Sequence, residues 1–229
     1  MADKASRGLV VYGDGLMPFI HTHLHSLASK ASCGFLSLQE SEDERVIREL
    51  AQLFDAHDRS ISERFMGIRA AIFTLGLHVL QFDQFASELL RFLGFQEGVV
   101  SEASEFDLVF VHIWINALIG GVMQIAQPGS EVGSRLHLSL VMSYGAASET
   151  NSFFSMLCPS QSFAMKGGNI RHHSPMLIAQ WQEAVTRRDM AETFSFKEFV
   201  EGGVNLAIPA DRFLHEVAFK LWKAPKYGA

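Results

Sequence analysis

The stretch GLVVYGDG at residues 8–15 decides the fold. Its centre is apolar and rich in valine, and it closes with Asp14-Gly15, a dipeptide that is typical of tight turns. A short β-branched run of this kind predicts a buried strand rather than a helix. Residues 8–15 are therefore predicted to form a buried strand that ends in a turn carrying the carboxylate of Asp14.

Strand-like and helical patterns alternate along the rest of the chain. Helical spacing of apolar residues covers 19–31, 41–53, 82–93, 115–126, 197–201 and 209–222, with Pro209 expected in a first helical turn. Strand-like runs cover 34–38, 67–73, 76–80, 106–113, 136–142 and 175–179. The alternation predicts a single three-layer α/β domain over residues 1–229, with a mostly parallel sheet and helices on both faces. Residues 145–172, rich in Ser, Gly and Asn, are expected to form a flexible loop.

The composition excludes several functional classes. The 229 residues are 48% hydrophobic, which excludes disorder. With 25 acidic and 19 basic residues the net charge is −6, which argues against nucleic acid as a partner. No apolar run is long enough to cross a bilayer, so no membrane role is expected. The polar N-terminus and only two cysteines, Cys33 and Cys158, predict a cytoplasmic protein without a disulfide framework.

Asp14 is the first candidate site residue. A carboxylate directly after a buried strand lies at the edge where open α/β sheets bind their ligands, and it is a good ligand for a divalent metal. The alternative is a plain turn, since Asp-Gly is common turn chemistry. Gly13 and Gly15 do not form a dinucleotide fingerprint, because Phe19 stands where its third glycine would be.

Histidines form two further candidate groups. His21, His23 and His25 alternate within a helical segment, where either a metal cluster or a set of helix-surface imidazoles fits the spacing. His173, in the stretch 171–175 before an apolar run, is a candidate metal or phosphate ligand, and an exposed loop is its alternative. His112, at the end of the strand over 106–113, is more typical of a core residue.

Ser41 begins a segment that predicts the start of a helix. A serine at a helix N-terminus could act as a nucleophile toward an anionic ester, because free amides and the helix dipole stabilise the anion. The alternative is a capping box formed by Ser41 and Glu44. The charged run 187–189 is interpreted as a solvated face, and neither a nucleophile elbow nor a phosphate loop occurs.

Taken in order, these segments resemble the alkaline-phosphatase superfamily, and within it the cofactor-independent phosphoglycerate mutases. The opening is similar to the family's strand-Asp-Gly motif, with Asp14 at its metal-binding aspartate, and Ser41 falls near its nucleophile. Further similar segments are 24–28, 67–71, 106–112 and 171–178. The resemblance spans residues 8–180. It implies an alkaline-phosphatase-like core, Ser41 as the catalytic residue, and Asp14 and His173 as ligands of Zn, Mn or Mg. Residues 223–229 are also similar to a plant protein group that supplies no function.

Departures from the family pattern bear on activity. The family places a metal-binding Asp and His after the strand that ends at His112, but Trp114 follows here and a helix begins at once. The family's next Asp-His pair falls at Ser143-Tyr144, and neither residue is a typical ligand of a divalent metal. A two-metal site needs several carboxylate and imidazole ligands. Because Trp114 follows His112 so closely, one interpretation is that the chain is a shortened variant that lacks the metal loop.

The sequence therefore predicts a non-catalytic or degenerate phosphatase-like or phosphomutase-like protein. It is expected to bind a protein partner or a small anionic ligand. The alternative is an active metal-dependent phosphoester hydrolase or phosphomutase, with Asp14 and His173 on a divalent metal and Ser41 accepting the phosphoryl group.

Overall fold

A computed structural model describes most of the chain. The described residues are 5–13, 22–38, 45–55, 61–74, 82–96, 98–101, 104–112, 115–143, 175–203 and 207–225. The strands are β1 (Arg7–Gly13), β2 (Ser32–Ser37), β3 (Ala70–Thr74), β4 (Phe95–Gln96), β5 (Val99–Val100), β6 (Leu108–His112), β7 (Leu136–Ser143), β8 (Met176–Trp181) and β9 (Ile208–Pro209). The helices are α1 (Thr22–Ala28), α2 (Arg45–Leu53), α3 (Ile61–Arg64), α4 (Phe82–Phe92), α5 (Ile115–Ile125), α6 (Glu131–Arg135), α7 (Phe196–Glu201) and α8 (Phe213–Lys220).

Seven strands form one sheet in the order β3-β6-β1-β7-β8-β2-β9. β1 lies near the centre and pairs in parallel with β6 on one side and β7 on the other. β8 runs antiparallel to both of its neighbours, and the other described pairings of this sheet are parallel. The prediction of a mixed α/β fold with a mostly parallel sheet is confirmed.

Helices cover both faces of the sheet, because alternate residues of each strand point in opposite directions. Leu9 and Val11 of β1 belong to a core cluster that also contains the buried residues of α1, α4 and α5. Val10 and Tyr12 of the same strand belong to a second cluster, which contains the buried residues of α8. β1 is apolar at consecutive positions because a strand that is buried on both faces has no side facing water.

Most predicted elements are present with shifted ends. The buried strand at the start, the helix that Gly94 ends and the strand before His112 are all confirmed, and Gly94 has a positive φ of +82°. The expectation for Pro209 is wrong. This residue ends the short strand β9, a 3-10 turn over Ala210–Arg212 follows, and α8 begins only at Phe213. β9 pairs with β2, so sheet formation decides the conformation at Pro209.

Several short elements were not predicted. α3 and α6 have four and five residues, which is too short for a helical period to stand out. The predicted strand at 76–80 and the expected loop at 145–172 lie outside the described residues. Within the described ranges, no helix has the length and apolar character needed to cross a bilayer.

Candidate functional site

The three site residues that the sequence singled out, Asp14, Ser41 and His173, lie outside the described residues. The structure does describe Gly13, which ends β1 immediately before Asp14. It thereby defines the edge of the sheet that the prediction concerned. The metal-dependent alternative requires these three side chains to lie close together, and that requirement stays a prediction.

That edge is formed by the carboxyl ends of neighbouring parallel strands. In register, Tyr12 of β1 lies beside His112 of β6 and Val141 of β7. Ser143 at the end of β7 lies beside Met176, the first residue of the antiparallel β8. Polar groups that follow or end these strands therefore share one edge, where open α/β sheets bind ligands.

A buried carboxylate from α2 closes the described part of this edge. Glu49 is 1% exposed, and its Oε2 accepts a hydrogen bond of 2.6 Å from the Tyr12 hydroxyl. Its Oε1 accepts a second bond of 3.1 Å from Oγ of Ser143, which is fully buried. Both oxygens of one carboxylate are thus bound to the ends of two adjacent central strands. The arrangement fastens α2 to the sheet, because a buried carboxylate needs such donors.

His112 lies at the border of this cluster. It is half-buried, and its ring packs edge-on against the Tyr12 ring with 5.1 Å between centroids. Thr74 of β3 lies beside it in register on the other side. The aromatic contact agrees with the prediction that His112 is a packed residue.

Glu49 was not among the residues predicted from the sequence, although its position in the helical pattern indicates a buried carboxylate. Val46, Leu50 and Leu53 set the apolar stripe of this helix, and Glu49 falls on the same stripe at helical spacing. A carboxylate on such a stripe must find buried donors, and Tyr12 and Ser143 supply them.

The described histidines of the first cluster do not converge on one point. His23 is exposed on α1, and Nδ1 of His25 accepts a hydrogen bond of 3.1 Å from the backbone N–H of Phe194. His21 lies outside the described residues. Across the described ranges, no group of three or more His, Cys, Asp or Glu residues is placed to hold a metal ion.

The interpretation of residues 187–189 as a solvated face is wrong for Asp189. Its side chain is fully buried, and Oδ2 accepts hydrogen bonds from the Cys33 backbone N–H at 2.9 Å and the Ser32 hydroxyl at 3.4 Å. Oδ1 accepts from Nε of Arg187 at 3.0 Å. Arg187 and Arg188 are exposed as expected. Asp189 joins the segment after β8 to the start of β2, and charge composition alone does not reveal that role.

A second polar region lies at the opposite edge of the sheet. It is a cleft of about 250 Å³, lined by Ser32, His137, Gln180, Val185, Thr186, Arg187 and Lys220. Ser32 begins β2, His137 is near the start of β7, and Gln180 is near the end of the antiparallel β8. All three positions therefore lie at the amino edge, across the sheet from Gly13 at the end of β1.

His137 forms the buried wall of this cleft. It is 2% exposed, and burial together with the charge of Lys220 lowers the pKa of His137 to about 3. Its Nε2 lies 3.3 Å from Oγ of Ser139, and Nε2 of Gln180 donates to the same Oγ at 3.3 Å. Nδ1 of His137 is buried and has no hydrogen-bond partner among the described residues. In sequence, the signal was His137 and Ser139 two residues apart in an otherwise apolar strand, which places both on one face.

Comparisons with known proteins define the fold and nothing finer. No protein-family model matches the sequence, and no curated protein matches it. Among solved structures, the chain is similar to the structure of the PH0037 protein from Pyrococcus horikoshii, with a TM-score of 0.53 and 12% sequence identity over 100% of both chains. The likeness shows the fold alone.

Proposed function

We propose that this chain is a non-catalytic protein that acts by binding, either to a protein partner or to a small anionic ligand. The observation that carries the proposal is the pair of hydrogen bonds that Glu49 accepts from Tyr12 and Ser143 at the carboxyl edge. A carboxylate whose oxygens are both bound to hydroxyl groups stabilises the fold and is not placed to hold an ion.

Ser143 supports the non-catalytic function, because it stands where the resemblance implies a metal ligand. The resemblance to the alkaline-phosphatase superfamily reserves positions 143 and 144 for a metal-binding aspartate and histidine. Position 143 holds a fully buried hydroxyl that donates to Glu49 instead. A hydroxyl is a poor ligand for a divalent metal compared with carboxylate or imidazole. The alkaline-phosphatase-like core itself stays a prediction.

The rival function is a metal-dependent phosphoester hydrolase or phosphomutase that uses Asp14, His173 and Ser41 with Zn, Mn or Mg. Asp14 directly follows β1 and His173 shortly precedes β8, and these strand ends lie at the same edge. The rival therefore requires a metal that is held mainly by residues outside the described ranges.

Turnover and metal content decide between the two functions. Purified full-length protein is incubated with p-nitrophenyl phosphate and p-nitrophenyl sulfate in the presence of Zn²⁺, Mn²⁺ or Mg²⁺, and its metal content is measured by mass spectrometry. We expect no stoichiometric metal and no hydrolysis above that of the Asp14→Ala and Ser41→Ala variants. Hydrolysis by the wild type that disappears in either variant would overturn the proposal and establish the rival.

A further inference from the structure

We infer that the cleft at the amino edge of the sheet is a binding site for a small oxyanion of the phosphate class. The inference deepens the proposed function, because it gives the anionic ligand a place in the fold. It does not involve Asp14, Ser41 or His173, the residues on which the phosphoester hydrolase or phosphomutase alternative rests.

A chain of hydrogen bonds on the cleft wall decides which ring nitrogen of His137 carries the proton. Gln180 lies beside Ser139 in register, and its amide donates to Oγ of Ser139. Ser139 is fully buried, so its own proton needs an acceptor, and the His137 ring nitrogen Nε2 is the acceptor within reach. A neutral imidazole that accepts at Nε2 carries its proton at Nδ1.

This Nδ1–H donor has no hydrogen-bond partner among the described residues. Buried donors in folded proteins are nearly always satisfied, and an unsatisfied one costs about 1–3 kcal/mol. His137 lines the cleft, and its Nδ1 is buried and unpartnered among the described residues. Nδ1 is covered in the structure shown, so a ligand oxygen in the cleft satisfies this donor when the His137 ring turns toward it.

Two basic side chains give the cleft a positive charge. Arg187 and Lys220 both line the cleft and are exposed. Arg187 donates only Nε to Asp189, so its two terminal nitrogens make no hydrogen bond within the described part of the chain. Lys220 has no ion pair there either. Asp189 is the nearby acid, and its two oxygens already accept from Cys33, Ser32 and Arg187.

These groups together select an oxyanion. A guanidinium, an ammonium and an imidazole N–H are the donors that bind phosphate and carboxylate groups most strongly. At about 250 Å³ the cleft is smaller than the roughly 300–1,000 Å³ of sites for drug-sized ligands. Donors from three side chains that line one cleft fit a tetrahedral phosphate, with oxygens on all sides, better than a planar carboxylate.

Binding of inorganic phosphate to the full chain tests the inference. Calorimetry measures affinity at constant ionic strength, with chloride replacing phosphate in the blank, and nitrogen NMR follows the His137 ring. We expect saturable binding at millimolar phosphate or below, with a change in the Nδ1 resonance. Lys220→Gln and Arg187→Gln should each weaken binding about tenfold, because each removes a charge-assisted contact.

The matched control is Lys197→Gln, which removes an exposed lysine from α7 on the other face of the sheet. It should leave the affinity unchanged. Absence of saturable binding, or equal weakening by Lys197→Gln, would overturn the inference. So would binding that leaves the His137 resonances unmoved. None of these measurements depends on hydrolysis, so a failure here is distinguishable from a failure of the proposed function.

Discussion

Tyr12 and Glu49 are joined by a buried hydrogen bond of 2.6 Å that links the central strand β1 to helix α2. The Tyr12 side chain is fully buried between the sheet and its helices, so its hydroxyl has no access to water. Hydrogen bonds to a charged group stabilise more than neutral ones, and a lost partner leaves a desolvated group behind. This contact therefore contributes to stability at the carboxyl edge of the sheet, where the sequence predicts a ligand site.

Removal of the Glu49 carboxylate should destabilise the fold. We expect Glu49→Ala to lower the free energy of unfolding by about 2–4 kcal/mol, because Tyr12 and Ser143 lose this acceptor in a buried place. Urea denaturation measures the change. In a double-mutant cycle with Tyr12→Phe, the coupling should be about 1–2 kcal/mol. The control Glu88→Ala removes an exposed carboxylate and should have no measurable effect. Additive effects of the Tyr12 and Glu49 changes would contradict the prediction.

Acidification should destabilise the protein through His137. Its pKa in the folded state is about 3, below the value near 6.5 expected in the unfolded chain. The unfolded state therefore binds more protons between these values, and stability is lost as pH falls below about 6.5. Between pH 7 and pH 5 the loss from this group should be about 2 kcal/mol. The His137→Gln variant should lose correspondingly less over the same interval.

Urea denaturation of both proteins at several pH values checks this prediction. Above pH 7 the two curves should run parallel, since His137 is neutral in both states there. An equal loss of stability in the wild type and His137→Gln between pH 7 and pH 5 would show that His137 becomes protonated without cost in the folded state.

Asp107 should stabilise the start of β6 through Arg69. It accepts hydrogen bonds from the backbone N–H of Arg69 at 3.0 Å and from Nη2 at 3.0 Å, and Nζ of Lys223 lies 3.7 Å away. Burial alone would raise the pKa of Asp107, but these bonds and charges more than offset it and hold the pKa below its usual value. Asp107→Asn should cost about 1–2 kcal/mol near neutral pH.

The pH dependence gives Asp107 a second test. A carboxylate with a depressed pKa contributes stability above the unfolded value near 3.9, and this contribution is lost as pH falls through the folded value. Thermal melts at pH 3 should therefore show a smaller difference between wild type and Asp107→Asn than melts at pH 7. An unchanged difference would mean that the charge of Asp107 contributes nothing.

The Cys33 thiol should be unreactive in the folded protein. Burial, together with the charge of Asp189, raises the pKa of Cys33 to about 12, so little thiolate exists at neutral pH. In a Cys158→Ser background, labelling by a thiol reagent at pH 8 should follow global unfolding and accelerate in urea. Fast labelling without denaturant would show that β2 opens locally, contrary to its buried pattern.

Local sequence patterns were enough for most of the scaffold. The apolar runs at Leu9–Tyr12 and Leu108–Val111 predicted buried strands because a strand that is covered on both faces leaves no polar position. Gly94 predicted a helix end for an equally local reason, since its positive φ is a glycine conformation. The direction of β8 and the pairing of β9 with β2 were not predictable, because they depend on contacts between residues far apart in the chain.

The two polar edges of the sheet show most clearly which features follow from the sequence and which depend on the tertiary structure. The sequence by itself determined most of the strands and helices, since these follow from local periodicity. Only the tertiary structure decided that Glu49 is held by Tyr12 and Ser143, and that Ser32, His137, Gln180 and Lys220 line one cleft. These groups come from separate strands and helices. Their chemistry depends on burial and on partners that only the folded chain brings within hydrogen-bond distance.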